Sequence, residues 1–253
     1  MHLVYDEQLR ARNDISGDRT MNDKICIISG VGPGTGASTA RRFAAAGYKV
    51  AMLARDEKRL STLEKEIPNA RAFPCDVSNQ SSVEKTVEKI TLEMGRPEVL
   101  IHNAVRGTFG TFLEIEPEDL RQNFDINTMG LLYLSRAVTP MMLEQGKGVI
   151  IASGNTAALR GKPRFAGFAP TKAAQRILCE SMAREIGPQG IHVAYIIIDA
   201  VIDLEWTREM MGDKPDDFFI QPDAIADTIY GVSQQDRSAW SFNVEVRPFG
   251  EEW

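Results

Sequence analysis

The sequence predicts one α/β domain built on a doubly wound parallel sheet of about seven strands, and three observations predict it. Short apolar runs alternate with longer amphipathic stretches along most of the chain, the pattern of strands connected by helical crossovers. The short runs are nearly continuous in Val, Ile and Leu, as strands buried on both faces require. Four glycines stand between the first apolar run and the first amphipathic stretch, in Ser29-Gly30-Val31-Gly32-Pro33-Gly34-Thr35-Gly36. Bulk numbers agree: 253 residues, 43% hydrophobic and 25% charged, describe an ordinary globular chain long enough for one such domain.

Residues 1–20 are polar and without hydrophobic periodicity, so they read as an arm or extension ahead of a domain over 21–253. From Lys24 the spacing predicts strands at 25–28, 49–53 and 71–73, separated by helices at 35–46, 56–66 and 81–94. The alternation continues with a strand at 99–101, a long helix over 117–140, a strand at 149–152, a helix over 169–186 and a strand at 192–198. Right-handed crossovers then place helices on both faces of the sheet. After Asp199 the order loosens into a segment rich in Met, Asp and Pro, before a helix at 223–232 and a closing strand at 240–246. No linker or internal repeat divides the chain into a second domain.

Charge and composition exclude several function classes. Lys plus Arg, 29, against Asp plus Glu, 35, leaves a net charge of −6, with no global basic field to hold a nucleic-acid backbone. No apolar run approaches the roughly 20 residues that span a bilayer, and acid interrupts the opening residues too early for a signal peptide. A cytoplasmic protein with no nucleic-acid or membrane partner is expected. Cys26, Cys75 and Cys179 are odd in number, scattered and set in apolar segments, which suits reduced core thiols and no metal site.

Position gives the glycine cluster its meaning. At a strand-to-helix turn, glycines permit positive φ and close backbone approach, and the helix start offers free N–H groups and a positive dipole end to a pyrophosphate. The spacing Gly30-x-x-x-Gly34-x-Gly36 resembles that of the short-chain dehydrogenase/reductase family, whose domain is a Rossmann fold. That resemblance runs from about Lys24 to Val246 and implies further cofactor contacts. Asp76 and Val77 match the family's adenine-contacting pair. Asn103 and Ala104 match the middle of its Asn-Asn-Ala-Gly motif, from which His102 and Val105 depart. His102 is expected to pack or hydrogen-bond near the adenosine half. Where NAD-binding members end the second strand with an acid, this chain has Ala54-Arg55-Asp56. A guanidinium meets a 2′-phosphate in bidentate fashion, so Arg55 points to NADP(H) over NAD, with Asp56 next to it as the competing ribose acceptor.

The same resemblance implies an active site of Asn, Ser, Tyr and Lys, and this chain keeps two of the four. Asn127 matches the helix Asn that holds a water of the family's proton relay. Lys172 matches the Lys that binds the nicotinamide ribose and lowers the tyrosine pKa. The tyrosine position, four before Lys172, is Phe168, and the serine position, thirteen before Phe168, is Asn155. The longer spacing of the enoyl-reductase branch falls on Phe165. Asn155 can donate a hydrogen bond to a developing oxyanion but supplies no proton at neutral pH. Water held by Asn127 and Lys172, Lys172 itself or a lid side chain are the substitute acids. After the sixth strand the family's Pro-Gly is replaced by Ile198-Asp199, leaving Ile198 a backbone role toward the nicotinamide. Arg160 and Arg164 flank the loop after Asn155, within reach of an anionic substrate group.

Residues 201–221 are expected to form a substrate lid, with Trp206, Met210, Met211, Phe218 and Phe219 lining an apolar pocket. The expected activity is NADP(H)-dependent reduction of a small-molecule carbonyl or activated alkene with a non-standard proton donor. The alternative is a catalytically silent NADP(H)-binding sensor or assembly subunit. By resemblance, a homodimer or homotetramer is expected through the long helices and last strand, and the aromatic tail from Trp240 to Trp253 covers a neighbour or folds back on its own chain.

Overall fold

The computed structural model describes residues 24–250; the arm over 1–20 and Trp253 lie outside the described residues. Its strands are β1 (Ile25–Ser29), β2 (Lys49–Ala54), β3 (Ala70–Pro74), β4 (Val99–His102), β5 (Gly148–Asn155), β6 (Ile191–Ile198), the short β7 (Val201–Ile202) and β8 (Phe219–Ile220), and β9 (Asn243–Val246). Seven of them form one parallel sheet in the order β3-β2-β1-β4-β5-β6-β9, and β7 pairs with β8 outside it. The predicted seven-strand α/β domain is the observed one.

Alternation within β1 shows how the sheet is covered. Ile25 and Ile27 point into one core with α3 (Gln80–Glu93), α5 (Gly130–Gln145) and α6 (Ala169–Ile186). Cys26 and Ile28 point into the other, with α1 (Thr35–Ala45), α2 (Glu57–Glu66) and α8 (Pro222–Ser233). Cys26, Cys75 and Cys179 are all free and buried in these cores.

Local chemistry sets the helix starts. Asp56 caps α2 by accepting from Arg59 N at 3.0 Å, and Asn79 caps α3 by accepting from Ser82 N at 2.9 Å. Pro222 opens α8 at a position where its missing N–H is harmless.

Two expected elements differ. The long helix over 117–140 is α4 (Pro117–Phe124), a π-helical turn over Asp125–Met129, and then α5, which runs past Pro140 to the left-handed cap at Gly146, φ +64°. The π turn widens the helix at the residue the site uses, Asn127. The closing strand starts at Asn243 and not at 240. Trp240 instead stacks on His192, ring centroids 4.8 Å apart, and donates its Nε1–H to Gln235 O at 3.3 Å, so this part of the aromatic tail folds back on its own chain.

Candidate functional site

Parallel register brings the C-terminal ends of β1, β4, β5 and β6 to one edge, with Ser29 beside His102, His102 beside Ala152, and Asn155 beside Ile198. Ligands of open parallel sheets bind at this edge. Gly30 turns away from β1 at φ +75°, and a Cβ there would stand 2.4 Å from the Ala104 backbone. A Cβ on Gly36 would stand 2.5 Å from Gly30 O, so the start of α1 presses directly on the turn. Gly32 faces open space. Among the described residues, no side chain caps α1, and the hydroxyl of Thr35 in its first turn is buried without a partner. An uncapped helix end beside a glycine cradle fits the phosphates of a dinucleotide.

The flanking motif residues are tied into this edge. Asn103 donates from Nδ2 to Gly30 O at 2.9 Å and accepts from Ser153 Oγ at 2.8 Å, stapling the glycine turn to β5. Asp76 Oδ1 accepts from both Ser78 N and Ser78 Oγ, and Val77 packs where Gly130 leaves room for it. Arg55 is exposed and has no hydrogen-bond or ion-pair partner among the described residues. The Asp56 carboxylate beside it is engaged by the α2 cap and by Arg59 Nη2 at 3.3 Å. That cap holds the Asp56 carboxyl below its ordinary pKa.

His102 is fully buried, its Nδ1 3.0 Å from Ser29 Oγ and its Nε2 unpartnered. Burial, reinforced by the nearby Lys172 charge, pushes its pKa down to about 3. Lys172 and the Ile126–Asn127 backbone are among its neighbours.

Asn127 is fully buried, and both its side chain and its carbonyl have protein partners. The side chain is held by Arg106, donating from Nδ2 to its O and accepting from its N, both at 2.9 Å, and it also donates to Thr171 Oγ1 at 2.8 Å. The Asn127 carbonyl is taken by Gln175 Nε2 at 2.5 Å. The physical reason is the π turn, which aims that carbonyl at the inner face of α6. Arg106 is itself locked by Thr108, Asn123 and Asp119.

Lys172, 2% exposed, donates to Ser153 O at 3.2 Å and to Gln175 Oε1 at 3.0 Å. Burial pushes its pKa down to about 8. Asn155 caps the 3₁₀ turn over Thr156–Ala158 through Oδ1, 3.1 Å from Ala157 N, which leaves its Nδ2 donors without a partner among the described residues. Phe168 is buried among Ala157, Ala169 and Phe165, tilted against Phe109 with centroids 5.4 Å apart. Lys172 Nζ lies 6.0 Å from its ring centre, with no hydroxyl between them. Beyond this wall a cavity of about 580 Å³ is lined by Phe112, Leu159, Phe165 and Arg160, with Arg164 at its side paired to Glu114 at 3.4 Å.

The segment expected as a lid, residues 201–221, is folded. β7 leads into α7 (Glu205–Met210), and Arg208 grips Asp203 with two nitrogens, at 2.6 and 2.8 Å, and Asp216 with a third. Hydrogen bonds from Arg208 and Gln221 pull the Asp203 pKa down to about 2. Phe219 lies buried under the Arg208 guanidinium, whereas Trp206 and Met210 stay exposed. Leu204 rests against Gly34, where a Cβ would meet its Cδ2 at 2.6 Å.

Gln175, Tyr195, Gly154 and Arg106 were not candidates from sequence. The available signal was Gln175 itself: Lys172, Gln175 and Cys179 share one helical face, and an amide on a face that ends in a core thiol calls for partners.

An α/β protein with a bare helix end and glycine cradle at the carboxyl edge of its sheet belongs to the nucleotide-binding class. The pattern of the short chain dehydrogenase family matches residues 24–208, and the chain belongs to that family of NAD(P)-dependent oxidoreductases. It is 27% identical to an uncharacterized oxidoreductase of Staphylococcus haemolyticus over 90% of this chain and 98% of that protein. Identity to the 3-oxoacyl-acyl-carrier-protein reductase of Escherichia coli is also 27%, over 76% of this chain and 78% of that one. A solved short-chain dehydrogenase from Rhodopseudomonas palustris superposes with a TM-score of 0.78 at 30% identity, covering 90% of this chain and 100% of that chain. A metagenomic short-chain oxidoreductase in complex with NADP superposes with 0.78 at 26% identity, covering 89% and 97%.

Proposed function

We propose that this protein is an NADP(H)-dependent reductase of a carbonyl or activated alkene that works with a non-standard proton donor. The observation that carries the cofactor choice is the pair at the end of β2. Asp56 is engaged as a helix cap, while the Arg55 guanidinium stands exposed and unpaired. A bound nicotinamide would supply or accept the hydride. Gly30, Gly34 and Gly36 cradle its phosphates, Arg55 meets the 2′-phosphate, and Asp76, Val77, Asn103 and Ala104 line the adenosine side. Lys172 holds the nicotinamide ribose, with the Ile198 backbone facing the amide.

On the substrate side, Asn155 offers its unpartnered Nδ2–H groups to the oxygen that gains negative charge. Phe168 supports an apolar reacting group and gives no proton, so the acid comes from elsewhere in the cleft. The small-molecule substrate enters under the lid. The unit of function is a homodimer or homotetramer formed through α5, α6 and β9, located in the cytoplasm, with no nucleic-acid or membrane partner. Among the described residues, no helix is long and apolar enough to cross a membrane.

The test is calorimetric titration of nucleotide-free protein with NADPH and NADH, repeated on Arg55→Ala. A charge-assisted bidentate contact is worth about 1.5–3 kcal/mol, so the variant should bind NADPH roughly ten- to a hundredfold more weakly and NADH equally well. Equal NADPH affinity in both proteins refutes the assignment of Arg55. Phe168 also favours a second reading, a silent NADP(H)-binding sensor or assembly subunit. Under that reading NADPH binds but no carbonyl or activated-alkene acceptor oxidises it.

A further inference from the structure

We propose that Gln175 is the positioning residue for Lys172: its amide, oriented by Tyr195, holds the lysine ammonium under the cleft and joins it directly to the Asn127 carbonyl. The proposal deepens the reading of Lys172 as a cofactor and catalytic residue, and rests on it for its functional meaning.

The hydrogen-bond accounting permits one arrangement. Gln175 is fully buried, and its Oε1 lies 3.0 Å from Lys172 Nζ and 3.2 Å from Tyr195 Oη. An ammonium only donates, so the atom facing it is the amide oxygen. The amide nitrogen then meets the Asn127 carbonyl at 2.5 Å, an oxygen that only accepts. Rotating the amide by half a turn would set its N–H groups against the ammonium and its oxygen against a carbonyl. Tyr195 reinforces the choice. Its hydroxyl lies between Gln175 Oε1 and Lys172 O, 3.3 Å away, both acceptors, so it must donate.

Gly154 is the independent sign that this cluster is built. A Cβ at 154 would stand 2.0 Å from the Tyr195 hydroxyl oxygen and 2.2 Å from Cζ. The glycine on β5 makes the space that the β6 tyrosine fills, and the tyrosine's polar tip ends on the amide of α6.

The consequence is chemical. An ammonium buried without acceptors would lose its proton. Ser153 O and Gln175 Oε1 are the acceptors that hold Lys172 in its charged form, and a directly bonded amide, unlike a water, hands no proton onward. Lys172 is therefore a hydrogen-bond donor held in a fixed place under the cleft, and a cation below its titration near pH 8. The titratable groups facing it are His102 from β4, Cys179 from α6 and Tyr195 from β6. Burial keeps all three neutral near pH 8, His102 by lowering its pKa and the other two by raising theirs.

The experiment is NMR of whole protein labelled with ¹⁵N-lysine, following the Nζ shift against pH, the Lys172 signal being assigned by its absence in Lys172→Arg. In the unmodified protein the Lys172 signal should titrate near pH 8. In Gln175→Met, close in volume but without the amide, that midpoint falls by one unit or more. Gln175→Glu raises it by at least as much, and Tyr195→Phe lowers it by less. NADPH affinity, measured on the same samples, falls about tenfold in Gln175→Met. An unmoved midpoint in Gln175→Met and Gln175→Glu overturns the proposal; if only one variant folds, its midpoint decides. A moved midpoint with unchanged NADPH affinity upholds the positioning role and refutes the reading of Lys172 as a cofactor residue.

Discussion

Acid should destabilise this protein in part through the buried His102. Its ring is fully buried at the end of β4, with Ser29 Oγ on Nδ1 and nothing on Nε2. Burial and the Lys172 charge hold its folded-state pKa at about 3, against 6.5 for a solvated histidine. Because the folded value is the lower one, the unfolded chain takes up a proton between those limits and the folded protein does not. The stability associated with His102 is therefore present above pH 6.5 and is lost as pH falls toward 3. At 1.36 kcal/mol per pH unit the loss is about 2 kcal/mol by pH 5 and about 3 kcal/mol by pH 4. Urea unfolding of the native protein and His102→Asn at pH 7, 5 and 4 isolates it, since the carboxylates and His192 titrate in both proteins. The native protein should lose about 2 kcal/mol more than the variant between pH 7 and pH 5. Equal losses in the two proteins would refute the reasoning.

Two further substitutions test the packing of the site. Gly154→Ala forces a methyl into the buried Tyr195 ring and should cost about 2–3 kcal/mol. In a double-mutant cycle with Tyr195→Ala the two costs should fall short of additivity by at least about 1 kcal/mol, because the collision disappears. Phe168→Tyr restores a phenol facing Lys172 and should raise NADPH-dependent ketone reduction by about tenfold or more. Unchanged turnover across a panel of carbonyls would mean that the cleft no longer presents a substrate oxygen at that position.

The central strands were readable from sequence because burial on both faces demands a continuous apolar run, a local property of Ile25–Ser29 or Ile191–Ile198. Glycine spacing placed the cradle for the same reason, since a turn and a helix start are made by neighbouring residues. The family resemblance singled out Asn127, Asn155 and Lys172. What those side chains touch was not readable. The resemblance implied a water at Asn127; that Gln175, three residues beyond Lys172, donates to its carbonyl was visible only in the structure.

Arg55 and Asp56 stand as rivals for the ribose in the sequence, and only the structure shows Asp56 capping α2, a contact made only once the helix exists. The extent of the closing strand was misjudged because Trp240, apolar enough for a strand, found a partner in His192 across the chain. Sequence alone thus determined the order of elements and the sheet, consequences of short-range periodicity, while the family resemblance named the residues along its carboxyl edge. Tertiary structure decided the chemistry around Lys172. Gly154, Gln175 and Tyr195 come from β5, α6 and β6, and only packing brings a missing Cβ, an amide and a hydroxyl to one point.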